Sequence, residues 1–304
     1  MFNSVDSESS EYSEFSDNYN DYERILHSDS GVSFGVCGYT SIWWFRSFIN
    51  DWEPNTFKII KNYAKQVGPN IVKNTYIDIG SWIGPTVLFA ANFYERVIAI
   101  EPDPVAFQKL ENNISVNSYD NITVVNKALT IINDTIQFGG NGCLGNSEST
   151  MLVNNKQYIT ECWGGRWTKE EREQNIIDVE GITLNKLLND YDIDPKTIAL
   201  IKMDIEGGEF ILIPDIINVL YKYNITLFIS IHYVFLKEEH IKFILQILFS
   251  AYRDCYVYVK GKKTRTTMKK IINEEYTELL FENVIIPKNA SSYCNNPLSC
   301  CSVC

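Results

Sequence analysis

Hydrophobic and polar positions alternate along most of this chain in a way that changes period every few residues. Tyr76-Ile77-Asp78-Ile79 reads as a first strand, with a helix following from about Pro85. Val97–Ile100 is a second strand. Val105–Val116 is helical, with Val105, Leu110, Ile114 and Val116 roughly on one face. Ile122–Val125 is a third strand, and Thr130–Phe138 is hairpin-like. Thr183 is placed to cap a short helix through Leu188. Ile198–Met203 and Ile225–Ile231 read as the fourth and fifth strands, and a helix over Leu236–Leu248 follows. Strands near Cys255–Val259 and Leu279–Ile286 close the series. Short β-rich runs alternating with helices predict βαβ units around a parallel sheet. The expected fold is α/β: a Rossmann-like doubly wound sheet over residues 75–288, mostly parallel, with an antiparallel edge hairpin. No internal repeat is visible.

Four segments fall outside that rhythm. Residues 1–30 are acidic, aperiodic and rich in Ser, Asn and Tyr. They hold too little apolar surface to offset the entropy of ordering, and disorder is expected. Residues 31–74 are more apolar, with Trp43, Trp44, Phe45, Trp52 and Phe57. They predict an element packed on the core, including a helix over Phe57–Gln66. Residues 139–178 are irregular, rich in Gly, Asn, Ser and charge, and contain Trp163 and Trp167. A stretch this long without periodicity predicts a functional or disordered loop, or an insertion. Residues 289–304 form a Cys-rich extension.

Composition narrows the classes. Of 304 residues, 45% are hydrophobic and 21% charged, which is globular usage. The net charge is -11. Residues 1–30 carry eight acids and one base, Arg24, so -7 lies there and -4 in the remainder. A mildly acidic body lacks the basic stripe of a nucleic-acid binder, and no nucleic-acid partner is expected. No basic start followed by an apolar run is present. The most apolar stretch, Tyr223–Leu236, is short of a membrane span and contains His232. A cytoplasmic protein without a membrane span is expected. Cys37, Cys143, Cys162 and Cys255 are scattered through the body, while Cys294, Cys300, Cys301 and Cys304 crowd the tail. Reduced thiols are the expectation. The last four residues fit a prenylation signal only loosely, so an exposed thiol tail is expected in preference to a lipidated one.

The chemistry begins at Asp78-Ile79-Gly80-Ser81-Trp82-Ile83-Gly84, between the first strand and its helix. Glycines there permit a tight turn and close approach of a ligand. The helix N-terminus offers free N–H groups, and Pro85 suits its first position. Such a loop fits either a dinucleotide pyrophosphate or the methionine carboxylate of S-adenosylmethionine (SAM). The dinucleotide fingerprint requires Gly-x-Gly-x-x-Gly, whereas here Asp78 stands where the first glycine would be. An acid at that place can meet an ammonium group, which SAM has and a pyrophosphate lacks. Glu101-Pro102 ends the second strand, where an acid suits ribose hydroxyls. Asn126, ending the third, is placed to touch adenine. The cofactor set is therefore Asp78, Gly80, Ser81, Gly84, Glu101, Pro102 and Asn126.

A second acidic motif, Lys202-Met203-Asp204-Ile205-Glu206-Gly207-Gly208-Glu209, ends the fourth strand. Ligands of doubly wound sheets bind beyond such strand ends. Together with Trp52-Glu53-Pro54-Asn55-Thr56-Phe57, Asp78 through Gly84, Ile100-Glu101-Pro102 and Thr183-Leu184, this segment resembles the FkbM family of SAM-dependent methyltransferases. The resemblance covers roughly residues 50–235. It leaves out the acidic N-terminus and the tail, and residues 139–178 exceed the family pattern. It implies O-methyl transfer, often to a hydroxyl of a sugar or a sugar-bearing natural product. By position, Asp78, Gly80 and Glu101 would bind SAM, while Lys202, Asp204, Glu206 and Glu209 would line the acceptor side. The fifth strand ends in Ser230-Ile231-His232, like the family's strand that closes on a histidine. No Asn/Asp-Pro-Pro-aromatic run follows the fourth strand, which disfavours a nucleic-acid base as acceptor.

An acceptor oxygen must be held in line with the sulfonium methyl and lose a proton. His232 is the first candidate base, because histidine titrates near neutrality, and Asp204 is the second. The acids are also able to hold a divalent metal through oxygen, although no ligand spacing demands one and none is expected. Two rival functions stay open: a nicotinamide oxidoreductase, and a methyltransferase-like binding module without catalysis. The acceptor's identity and the oligomeric state are not encoded legibly.

Overall fold

The computed structural model describes residues 22–27, 31–37, 52–64, 66–67, 72–139, 144–151 and 176–285. β1 (Tyr22–His27) and β2 (Val32–Cys37) make an antiparallel hairpin. Helix α1 (Pro54–Tyr63) precedes a short pair, β3 (Gln66–Val67) and β4 (Val72–Lys73). Then come β5 (Thr75–Ile79), α2 (Pro85–Ala90), β6 (Arg96–Ile100), α3 (Pro104–Ser115) and β7 (Ile122–Val125). β8 (Ala128–Leu129), β9 (Thr135–Gly139) and β10 (Ile176–Ile182) form a small separate sheet. The chain continues through α4 (Leu184–Asp190), β11 (Ile198–Met203), α5 (Glu209–Tyr223), β12 (Thr226–Ser230) and α6 (Glu238–Ala251). It closes with β13 (Tyr252–Val259), β14 (Lys262–Arg265), α7 (Met268–Glu274) and β15 (Glu278–Val284).

The main sheet has the order β14-β13-β15-β12-β11-β5-β6-β7. All pairs from β12 to β7 are parallel, and those among β12, β15, β13 and β14 are antiparallel. Chain order reverses between β5 and β11, so the crevice at their C-terminal ends is where such folds bind ligands. The expected doubly wound sheet with an antiparallel edge is therefore the observed one.

The sequence dictates this layering through a period of two on strands covered on both sides. Ile77, Ile79, Ile98, Ile100, Ile201 and Met203 pack with the apolar faces of α4, α5 and α6. Tyr76, Val97, Ala99 and Leu200 point the other way, onto α1, α2 and α3. Each such buried aliphatic side chain contributes about 1.5–3 kcal/mol by leaving water. The same alternation sends Asp78 and Lys202, register partners on β5 and β11, toward the α1 side. These are charges inside the core, and they require each other.

Three expectations are corrected. Thr130–Phe138 is not a local hairpin. β9 pairs with β10 from beyond the long irregular stretch (Phe138↔Ile177), and β8 pairs with β10 in parallel (Leu129↔Ile182). Ile131 and Ile132 are exposed in the turn between them, and the true partner is too far along the chain for a local pattern to reveal it. The first helix spans Pro54–Tyr63, because Pro54 occupies its first turn, and Gln66 belongs to β3. Residues 22–27, assigned to the disordered N-terminus, form β1. Its partner β2 buries Phe34 and Val36 and is tied to α3 by side-chain amides. Asn113 Oδ1 accepts from Cys37 N at 2.9 Å, and Asn117 Oδ1 accepts from Gly35 N at 2.7 Å. Residues 1–21, Trp43, Trp44, Phe45, Trp163, Trp167 and the tail lie outside the described residues.

Candidate active site

The loop after β5 is held by backbone. Gly80 N and Ser81 N both donate to Ile100 O, at 3.0 and 3.1 Å, so the ends of β5 and β6 are locked together. Gly80 has φ +84° and abuts the second motif: a Cβ there would lie 1.9 Å from the carbonyl oxygen of Asp204. The glycine thus serves the meeting of two loops, and a side chain would strike protein backbone before any ligand. Gly84, at φ +95°, lets Leu110 of α3 pack close, with its Cδ1 2.5 Å from where a Cβ would stand. It is a packing glycine. Ser81 is buried, and its hydroxyl donates to Asp78 O at 3.0 Å.

Two clefts open at this edge. The first, about 510 Å³ including its open mouth, is walled by Ile100, Glu101, Leu129, Phe138 and Met151, with Pro102 at its rim. Glu101 is nearly buried. Its Oε2 accepts from Trp82 N and its Oε1 from Asp103 N, both at 2.8 Å. Burial pushes its carboxyl up to about 8 despite these donors. Each oxygen keeps a further lone pair for a ligand hydroxyl. Asn126 is not among this cleft's walls. Its amide donates to the carbonyl of Glu101 at 2.8 Å and so braces the Glu101-Pro102 corner.

The second cleft, about 1160 Å³ on the same measure, is lined by Trp52, Glu53, Lys202, His232, Tyr233 and Glu278 among others. Gly80, Trp82, Ser147, Asp204 and Glu206 line both clefts, so the two meet there. Three residues at this junction or in the second cleft adopt left-handed backbone: Glu53 (φ 46°), Trp82 (φ 48°) and Glu206 (φ 51°). Such conformations are costly for residues with a Cβ and cluster at functional sites.

Asp78 lines neither cleft. It is wholly buried, accepts a hydrogen bond from Thr86, and lies 3.7 Å from Lys202 Nζ. Burial raises its carboxyl, while Lys202 and Thr86 oppose the rise. Lys202 Nζ donates to Asp204 Oδ2 at 3.1 Å. Burial pushes the Lys202 ammonium down, yet Asp204, Asp78 and Glu53 outweigh it and the net direction is up. Asp78 is thus the foundation of the second motif: through Lys202 it fixes Asp204.

His232 follows β12 and faces three acids. Nε2 lies 3.2 Å from Asp204 Oδ1 and 3.4 Å from Glu206 Oε1, and Nδ1 lies 3.1 Å from Glu209 Oε1. Burial opposes a charge on the ring, but Glu209 and Asp204 hold it well above the ordinary histidine range. Burial would raise Asp204, but Lys202 and His232 draw it below the carboxylate range. Burial pushes Glu206 up to about 8, with His232 opposing. Both directions favour the charged forms of His232 and Asp204. The structure therefore brings His232, Asp204, Glu206, Glu209 and Lys202 together, and Glu101 and Pro102 stand in the neighbouring cleft.

Sequence reasoning gave no role to several residues here. Glu53 and Glu278 line the second cleft, and burial raises both, Glu53 to about 7. The Trp52-Glu53-Pro54 run was the visible signal, but nothing local tied it to β11. Asp103 caps α3 through Oδ1 and, through Oδ2, accepts from Gly145 N (2.6 Å) and Ser149 Oγ (3.0 Å). Thr150 Oγ1 donates to the Glu206 carbonyl at 2.7 Å. Residues 144–151 of the irregular stretch are thereby strapped between the two motifs as a cleft wall.

A twisted parallel sheet with reversed strand order and paired clefts at its C-terminal edge defines the class: a Rossmann-like methyltransferase-type α/β domain. The Methyltransferase FkbM domain family model matches residues 69–256, and the chain belongs to that family. Among solved structures, it is similar to methyltransferase FkbM from Methylobacillus flagellatus (17% identity, 81% of this chain and 56% of that one, TM-score 0.38). The chain thus spans little more than half of that protein's length. It is also similar to an rRNA methylase from Streptococcus thermophilus (9% identity, 75% and 95%, TM-score 0.37). No curated protein matches the chain. Among the described residues, no helix is long and apolar enough to cross a membrane.

Proposed function

We propose that the chain is a SAM-dependent O-methyltransferase whose acceptor is a hydroxyl of a sugar, glycan or glycosylated small molecule. The observation that carries this reading is the meeting of two unlike clefts at Asp204 and Glu206. The first suits SAM by its chemistry. The Glu101 carboxylate has free lone pairs for ribose hydroxyls, and Ile100, Leu129, Phe138 and Met151 offer an apolar slot for adenine. The second cleft suits a carbohydrate. Glu53, Glu206 and Glu278 accept hydroxyl hydrogen bonds, and Trp52, Trp82 and Tyr233 offer faces for a sugar ring.

SAM, when bound, supplies a methyl carbon already electrophilic on sulfur. The residues of the chain hold the acceptor oxygen at the junction and take its proton. His232 and Asp204, 3.2 Å apart at the junction, are the groups placed to take that proton. Calorimetry with SAM, its demethylated product and NAD tests the cofactor reading. Binding of the first two in preference to NAD is expected, and NAD binding equal or tighter would overturn it.

A further inference from the structure

We infer that Asp204, Glu206 and His232 form a divalent-cation site at the junction of the clefts, taking a metal of oxygen and nitrogen preference such as Mn²⁺. One ligand atom from each lies within 4.8 Å of the other two. The measured edges are 3.2 Å (Nε2 to Asp204 Oδ1) and 3.4 Å (Nε2 to Glu206 Oε1). Two ligands at right angles, each about 2.2 Å from an ion, stand roughly 3.1 Å apart. The two edges measured to Nε2 are close to that spacing, and the third edge is within 4.8 Å. Two carboxylates and an imidazole suit Mn²⁺, Mg²⁺ or Zn²⁺.

The second observation is Glu209. It is wholly buried, and its Oε2 finds no hydrogen-bond partner among the described residues. Its Oε1 lies 3.1 Å from His232 Nδ1, behind the ring as seen from Asp204 and Glu206. A carboxylate on the far nitrogen of a histidine is the usual outer support of a metal ligand: it accepts a hydrogen bond from Nδ1–H and so leaves the Nε2 lone pair for the ion. Charge points the same way. Glu53, Asp204, Glu206 and Glu278 line this cleft, Asp78 and Glu209 contact its Lys202 and His232, and among the described lining residues Lys202 and His232 are the cations. A divalent ion at Nε2 brings two positive charges to this cluster. A cation there would offset the burial of these carboxylates, which otherwise take up protons.

The sequence builds the site economically. Asp204 and Glu206 sit two apart on the loop after β11, where Glu206 takes a left-handed φ of 51°. β12 pairs in parallel with β11 (Met203↔Ile229), which delivers His232 to the same edge. Use of the ion in catalysis, holding acceptor hydroxyls, rests on the methyltransferase reading; its binding does not.

The test is titration of Mn²⁺ into the chelator-treated full chain, followed by calorimetry and by the paramagnetic resonance of the free ion. One site is expected. Glu206→Gln and His232→Ala should weaken it at least tenfold, and Glu209→Gln by about 10–100-fold through its support of the ring. Thermal melts identify any variant that fails to fold, and partly exposed Glu206 then decides the matter. Competition by Mg²⁺ and Zn²⁺ ranks the ions. Absence of saturable binding for all three, or binding indifferent to Glu206→Gln and His232→Ala in folded protein, overturns the site. Saturable binding lost in those variants supports it even if no glycan is methylated, an outcome that would count against the proposed function alone.

Discussion

Glu209 Oε1 stands 3.1 Å from His232 Nδ1, at the first residue of α5 and the second residue beyond β12 respectively. The wholly buried acid fixes the ring so that Nε2 faces Asp204 and Glu206. His232→Ala and Asp204→Asn should therefore retain SAM affinity within a few-fold while turnover falls about 10²–10⁴-fold, the usual weight of a proton-handling group. Paired calorimetry and steady-state rates check this. Wild-type turnover in Asp204→Asn would remove Asp204 as the proton acceptor.

Gly80 is required by its neighbour more than by any ligand. Gly80→Ala places a methyl within 1.9 Å of the Asp204 carbonyl at a φ of +84°. Left-handed strain alone costs about 1–3 kcal/mol. A melting temperature lowered by more than roughly 5 °C is expected, together with lost cofactor binding. An unchanged melting curve would show that the two motif loops separate freely.

Glu101 makes cofactor binding depend on pH. Burial places its titration near 8 in the free protein, so below that pH it is protonated. Ribose hydroxyls donate to a carboxylate and favour its ionised form, so binding releases a proton. SAM affinity should rise between pH 6 and pH 8 and level off above. Glu101→Gln should lower affinity roughly 10–100-fold, in keeping with about 1.5–3 kcal/mol for a hydrogen bond to a charged group, and flatten that slope. Calorimetry in buffers of different ionisation enthalpy measures the released proton directly.

The N-terminal hairpin predicts a boundary. A chain beginning at Asp21 should melt like the full protein, since residues 1–20 are acidic and aperiodic. A chain beginning at Gly31 loses β1 and leaves β2 unpaired over α3. It should melt several degrees lower while binding SAM within about twofold. Equal melting of both truncations would show that β1 adds nothing to β2.

Much of this was legible in the sequence, because the parallel core repeats a local signal. β5, β6, β7 and β11 are short apolar runs that period and turn residues announce, and Asp78, Glu101 and Asp204 fall where such runs end. What local pattern cannot carry is partnership across the chain. Phe138 pairs with Ile177 across an aperiodic stretch, so β9 looked like half of a hairpin. Asp78 looked like a ligand group because its loop was right, yet alternation on β5 turned it inward onto Lys202. Asn126 ends the expected strand but braces a carbonyl. Glu53 belongs to a helix start about 150 residues from Lys202, and only the fold brings it to the cleft.

The central claim is methyl transfer at the junction of the two clefts. Its most direct test is incubation of the full chain with methyl-labelled SAM and a panel of free sugars, nucleotide sugars and glycans, in the presence of Mn²⁺. The account predicts label on a hydroxyl oxygen of at least one carbohydrate, with transfer falling about 10²–10⁴-fold in Asp204→Asn. Label appearing on nitrogen or carbon, or transfer undiminished in that variant, would contradict it.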